Sequence, residues 1–447
     1  MAVSERSTIR IAPEWLEAPG VAAPELAATW SSLSIEVDGE IVTQIADDRS
    51  GSLRDRIDVP TYPLARWIVR NWFFLLHHSR PLQLPASWRR FDGRSSRSAE
   101  STEWMLHHNL RAVGEGFVWP DLTLLSTAEE SCAEWWSDPS KRIGAQIRYI
   151  SSGTAATSRD SLQEALRRVV EATIIRLEDQ GVTGFPLADE WEAVLNLDEE
   201  EADFCVASAR LGLDAFELSD DVADLVARIG SDLESALLDD FLEAAQPELL
   251  AGDMAWVTNA SAVLEGATSD VEALPVIDAA DAALPPPKRG LAEAARLRKE
   301  LGIPPTERVD PLRWVNSMEV QNADENLVGL GGRSTTRAAV LATNGRHRHL
   351  LGRRFTAARA LRDFAMSSTT TRFLVTSSRL PAQQANRAFA AEFLAPVEGI
   401  TELLPRGTHP LPWEAVDEIA EHYEVSPMVV VHQIEDGVGR VVVRDHI

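Results

Sequence analysis

The sequence predicts an α+β fold in three parts, and three observations carry that expectation. Residues 34–45, SIEVDGEIVTQI, alternate apolar and polar side chains around Asp38-Gly39, the pair that favours a two-residue hairpin. Residues 161–180, SLQEALRRVVEATIIRLEDQ, place apolar side chains at helical spacing. Beyond residue 289 helical stretches such as GLAEAARLRKEL (290–301) accompany a strand pattern, RAAVLAT (337–343). The expected parts are a Trp-rich α/β domain over 1–155, an acidic all-helical domain over 160–275, a Pro-rich linker over 276–289 and an α+β domain over 290–447.

In the first part, residues 63–76, PLARWIVRNWFFLL, open with a proline suited to a first helical turn and are apolar almost all round, which predicts a buried helix. Residues 107–126 read as a helix end, a Gly-rich turn and a short strand. Nine tryptophans precede residue 140, and Trp67, Trp72, Trp135 and Trp136 are expected in the core. The pairs His77-His78 and His107-His108 invite a metal reading. Neighbouring side chains on a helix point about 100° apart, so each pair offers one ligand to a given site.

The second part holds the acidity of the chain. Residues 160–285 carry 30 acidic and 5 basic groups, net −25, against −4 for residues 1–150 and +2 for residues 286–447. Helices are expected over 161–180, capped by Asp160, and over 199–211, 219–229 and 231–245. Such a segment repels phosphate backbones, which disfavours direct nucleic-acid binding and suits a basic protein partner or imitation of nucleic acid. The triple proline of DAADAALPPPKR (278–289) predicts extended backbone between parts.

With 447 residues and 45% hydrophobic content the chain has ample material for several packed cores. It has no run of about eighteen apolar residues, and MAVSERSTIRIAPEW lacks an apolar signal core, so the expectation is a cytoplasmic protein with no membrane association. Cys132 and Cys205 are too few and too far apart for a disulfide framework or a thiolate metal site.

The most specific stretches are RRFTAARALRDF (353–364) and QQANRAFAAEFLAP (383–396). Both resemble the ImmA/IrrE family of bacterial metallopeptidases, whose active helix runs R-F-T-x-A-H-E-x-x-H and whose next helix runs E-x-x-A-N-x-F-A-A-x-L-L-x-P. The frame matches at Arg354, Phe355, Thr356, Ala358, Ala385, Asn386, Phe389, Ala390, Ala391, Leu394 and Pro396. The resemblance spans roughly residues 290–437 and implies a zincin-like α+β domain. Its HExxH motif is degenerate. The two His positions fall on Arg359 and Asp363, the catalytic Glu on Ala360 and the third-ligand Glu on Ala382. Zinc hydrolysis needs that set to hold the metal and deprotonate its water.

No cofactor is therefore expected, with zinc as the alternative. Arg359 and Asp363, four apart on a helix, are placed for a salt bridge across the vacated site. Arg359, Asp363, Asn386 and Glu392 are the expected binding residues. The resemblance implies a catalytically inactive binding or regulatory module in bacterial stress response or in phage or mobile-element control, with a protein partner such as a repressor. One rival is an active peptidase with displaced ligands, His347 and His349 of GRHRHL, which share a face if extended. Another is an acidic nucleic-acid mimic or repressor antagonist. Residues 413–436 carry a helix, turn, helix pattern, with Ser426 expected to cap the second helix. Residues 427–436 hold no Arg or Lys, so the pattern is read as closing the domain.

Overall fold

Asp38 and Gly39 take positive φ, 50° and 79°, the backbone that a two-residue hairpin needs. In the computed structural model, strand β1 (Ile9–Trp15) is followed by α1 (Pro24–Ala28), β2 (Trp30–Val37) and β3 (Glu40–Ile41), with Val37 paired to Glu40 across that turn. The structure describes residues 8–18, 20–47, 49–79, 99–126, 131–138, 147–268, 271–321, 325–334, 338–345, 349–366, 372–405, 411–439 and 442–443. The chain forms two units, Met1–Gly230 and Ser231–Ile447.

In the first unit, β4 (Ile45–Asp47), β5 (Ser52–Arg54) and β6 (Ile57–Pro60) precede α2 (Tyr62–Arg70) and α3 (Trp72–His77). The stretch expected as one buried helix is thus two. At Asn71 the backbone leaves helical geometry, with φ −107° and ψ 16°, and the Asn71 side chain donates to the Trp67 carbonyl at 2.8 Å. Then come α4 (Ala99–His108), β7 (Asp121–Ser126), β8 (Ser131–Trp136), β9 (Ile147–Tyr149) and β10 (Gly153–Thr157). Antiparallel pairing joins β1, β2, β3 and β6 in one sheet, β10, β8 and β7 in a second, and β5, β4 and β9 in a third. Trp67, Trp72, Trp119 and Trp135 are buried in the core, and Trp136 is half-buried.

The acidic stretch does not stand apart as a body of its own. Helices α5 (Arg159–Asp179), α6 (Leu187–Leu195) and α7 (Glu199–Arg210) belong to the first unit, and Leu162, Leu166, Val169, Leu187 and Trp191 enter its core. Ser158, rather than Asp160, caps α5, accepting from the Ser161 amide at 3.1 Å. The division between units falls within α8 (Asp220–Asp232). Apolar stripes decide this partition: α5 packs on β1 and α2, α6 on α2 and α7 on α3, whereas the next two helices, Ser235–Ala244 and Leu250–Gly266, pack on the sheet of the second unit.

The second unit begins with α9 (Ser235–Ala244) and α10 (Leu250–Gly266), followed by α11 (Pro286–Glu300). Its sheet, ordered β11 (Asn316–Glu319), β13 (Ala339–Thr343), β12 (Leu327–Arg333), β14 (Phe373–Thr376), is antiparallel except for the parallel β11/β13 pair. Helices α12 (Leu350–Met366) and α13 (Pro381–Leu394) pack together and on α11, and α9 and α10 pack on the sheet.

The expected linker is part of this unit. Pro286 and Pro287 open α11, where missing N–H groups cost nothing. Before them Ile277 and Ala280 are buried, and the Ile277 amide donates to the Ala365 carbonyl at 2.9 Å. After α14 (Val397–Leu403) and β15 (Leu411–Pro412), helices α15 (Trp413–Tyr423) and α16 (Pro427–His432) turn at Glu424, which is left-handed, and β16 (Val442–Val443) pairs with β15. Ser426 stands at the N-cap of α16 but makes no side-chain cap bond. Val416, Ile419, Tyr423 and Val430 lie in the core, so this pair closes the unit as expected.

Candidate functional site

Of the residues singled out in the sequence, Arg359, Asp363 and Asn386 lie on the packed helices α12 and α13, beside β14. Arg359 projects from α12 and is only 6% exposed. Its Nη2 donates to Gln383 Oε1 at 2.9 Å and to the Thr376 carbonyl at the end of β14. Gln383 is fully engaged: Oε1 also accepts from the Thr376 amide at 3.1 Å, while Nε2 donates to the Leu374 carbonyl at 2.8 Å and to Asp240 Oδ1 at 3.1 Å. Asp240 comes from α9, so three helices and a strand share one polar knot.

The expected Arg359–Asp363 ion pair is replaced by two separate networks. Asp363 accepts from Asn386 Nδ2 at 2.9 Å, and Asn386 Oδ1 accepts from Arg362 Nη1 at 2.9 Å. Arg362 Nε in turn meets Glu293 Oε2 of α11 at 2.6 Å, and Glu293 Oε1 accepts the Ala280 amide at 3.1 Å. Arg359 precedes Asp363, the less favourable order for an i,i+4 pair, and the Thr376 carbonyl and Gln383 amide oxygen offer it acceptors instead.

Burial sets the electrostatics. Desolvation, with Arg387 adding repulsion, brings the Arg359 guanidinium down to about 9, against the pull of Asp363 and Asp240. Desolvation pushes the Asp363 carboxyl up to about 6, opposed by Arg362, Asn386 and Arg359. Asp240 is pushed up to about 7 by desolvation, with Asp363 and Asp239 adding to the rise and Gln383 and Arg359 opposing it. Asp240 in the knot and Asp363 in the neighbouring network are thus both held toward the protonated form.

Ala360 is completely buried among apolar neighbours, and Ala382 is exposed at the start of α13. The two positions where the resembling family places its glutamates are thus one in the apolar core and one at the surface. Glu392 serves elsewhere: it accepts from the Val397 amide at 3.2 Å and from Gln433 Nε2 at 2.8 Å, which ties α13 to α14 and to the turn after α16. His349 is exposed, and His347 lies outside the described residues. Zinc does not fit this set. A guanidinium has no lone pair to give, Gln383 Oε1 already accepts twice, and one aspartate cannot hold the ion. Among the described residues no three His, Cys, Asp or Glu side chains gather as a metal site.

The histidine pairs of the first unit meet across pairs rather than within them. His108 Nδ1 donates to the Leu124 carbonyl at 2.9 Å, which leaves Nε2 to accept from His78 Nδ1 at 3.3 Å. Asn71 gives its amide N–H to Trp67, so its oxygen accepts from His107 Nδ1 at 2.6 Å. Trp104 stacks on His108 and Phe74 on His107. Burial lowers His77 to about 4 and His78 to about 3, which favours the neutral form of these half-buried rings.

Gln383, Arg362, Glu293 and Asp240 were not singled out in the sequence. Glu293 left a readable trace, since Gly290, Ala294 and Leu297 form one buried stripe and a charge on that stripe needs a partner. Asp240 left none, because nothing local reports which helix will cover β14.

No family model matches the chain, and no curated protein matches it. Among the described residues no helix is long and apolar enough to cross a membrane.

Proposed function

We propose that the second unit is a zincin-like, peptidase-derived scaffold of the ImmA/IrrE kind that works without metal, as a binding and regulatory module for a protein partner. The observation that carries this reading is the Arg359–Gln383–Thr376 knot. It occupies the level of α12 at which the resembling family holds its metal, with chemistry that holds the helices together and offers no nucleophile. Of the residues common to both frames, Phe355, Ala358, Phe389 and Leu394 are packing residues. Arg354 is buried and donates to the Glu424 carbonyl at 2.9 Å and the Val309 carbonyl at 2.6 Å, a role in fold rather than catalysis.

A basic partner is favoured by the exposed Glu199, Glu200, Glu201 and Asp203 of α7 and Asp220, Asp221 and Asp224 of α8. The resemblance extends the proposal to stress response or to phage and mobile-element control in a bacterium, with a repressor as the type of partner.

The test is metal analysis and zinc titration of the purified chain against a chromophoric chelator, with incubation on an unfolded protein substrate and capture of partners at low and moderate salt. We expect no stoichiometric zinc, no chelator-sensitive cleavage, and a basic partner released as salt rises. One tightly held zinc per chain, removed together with a cleavage activity by chelator, overturns the reading.

A further inference from the structure

A second site lies in the first unit, in a cleft of about 490 Å³ between α2–α3, α6 and the turn that follows α7. The volume falls inside the roughly 300–1,000 Å³ range of small-molecule sites. Val69, Phe73, Phe74, Val194 and Ala209 supply apolar walls. Phe74 is held rigid by stacking on His107, ring centroids 4.0 Å apart. At the mouth the Asp214 carboxylate accepts the Phe216 amide at 3.0 Å, in a turn that leaves the Phe216 ring 69% exposed.

The charge of the lining is one-sided. Arg70 is its single basic residue, and it meets Glu190 at 3.4 Å, as Arg66 does. Asp214 and Glu217 are then left as surplus negative charge beside an exposed aromatic ring. Cys205 at the cleft reports the same field: its thiol is pushed up to about 11 by burial first and by Glu201 and Asp214 next, so it is a neutral part of the wall.

We infer that this cleft binds a small aromatic amine, its ring between Phe73, Phe74 and Phe216 and its ammonium at Asp214 and Glu217. Aromatic walls take the flat apolar body and the face of Phe216 favours a cation, while the carboxylates reject an anion of the same shape.

Calorimetric titration of the full chain with tryptamine, neutral indole and indole-3-acetate tests the assignment. We expect tryptamine to bind tightest and indole-3-acetate weakest, with roughly a tenfold separation of the charged pair, as one ionic contact gives. The gap should shrink as salt rises from about 0.05 M to about 0.5 M. The doubly neutralised variant Asp214→Asn, Glu217→Gln keeps the acceptor for Phe216 and should lose the preference for tryptamine while binding indole as before. Ala193→Trp, from an exposed position on the lining, should weaken all three ligands. The assignment is overturned if neither tryptamine nor indole binds, if the charged pair bind alike, or if the neutralised variant keeps the preference.

Discussion

Arg359 of α12 donates to Gln383 of α13 across 2.9 Å, and the same nitrogen reaches the Thr376 carbonyl of β14. One buried cation thus joins two helices and a strand. Removing it takes one of two donors from Gln383 Oε1 and a donor from the Thr376 carbonyl, and removing Gln383 leaves the buried charge with the Thr376 carbonyl but without its side-chain acceptor. Arg359→Met and Gln383→Leu should each cost about 2–4 kcal/mol, and the double variant clearly less than their sum. Urea unfolding of the four members of this cycle measures the coupling. Additive losses would mean that the two side chains do not act as a pair.

Ala360 has no exposed surface, so a glutamate, the residue the resembling family has at this position, cannot be placed there without burying a carboxylate. Ala360→Glu should destabilise the second unit by about 3 kcal/mol or more, whereas Ala382→Glu, on an exposed turn, should stay within about 0.5 kcal/mol. Thermal melts of the two variants separate the cases. An Ala360→Glu protein as stable as its parent would show that this face of α12 opens to water.

Gly290 marks the closest approach of α11 to α13. A Cβ there would lie 2.1 Å from the Ala385 carbonyl oxygen and 2.9 Å from the Phe389 nitrogen. Gly290→Ala gains about 1 kcal/mol of helix propensity but forces the helices apart, for a net loss of about 2 kcal/mol. A stabilised variant in chemical denaturation would contradict the packing.

The two units should respond to pH in opposite senses. Asp240 and Asp363 are raised to about 7 and about 6 from an ordinary 3.8, so the second unit is favoured while they hold protons and loses that contribution as pH climbs from 4 to 7. His77 and His78 are lowered to about 4 and about 3 from 6.5, so the first unit keeps their contribution above pH 6.5 and loses it as pH falls toward 3. Calorimetric scans from pH 7.5 to pH 5 should show one transition rising and the other falling, relative to each other. Asp240→Asn should flatten the rise, and His78→Phe the fall. Parallel movement of both transitions would refute the assignment.

A stable C-terminal fragment should begin near residue 230, not at the triple proline. Trp256 of α10 is buried and donates to the Val320 carbonyl at 2.8 Å, and α10 covers β12 and β13. Residues 290–447 alone would expose that sheet face to water. We expect residues 230–447 to unfold cooperatively and residues 290–447 to aggregate. A folded 290–447 fragment would restore the Pro-rich boundary.

Where a feature depended on a few neighbouring residues, the sequence was readable. Asp38-Gly39 needed only its own φ preferences, and the Gly114-Glu115-Gly116 turn before β7 followed from local chemistry. The helices α5 and α7 were expected from apolar spacing, and α11 and α13 from stretches that resemble the peptidase family, with ends shifted by a few residues. The break at Asn71 was not readable, because a side chain that returns to its own helix competes with an apolar pattern that continues through it.

The sequence by itself determined the mixed α+β class, the acid-rich helical middle and the frame shared by α12 and α13, since these rest on periodicity, charge and short motifs. Only the tertiary structure decided how the acidic helices divide, why the triple proline starts a helix, and that Arg359 turns to Gln383 instead of Asp363. Those outcomes depend on which surfaces lose water together. A side chain's partner across a helix interface is chosen by distances between elements far apart in the chain, and no local pattern encodes them.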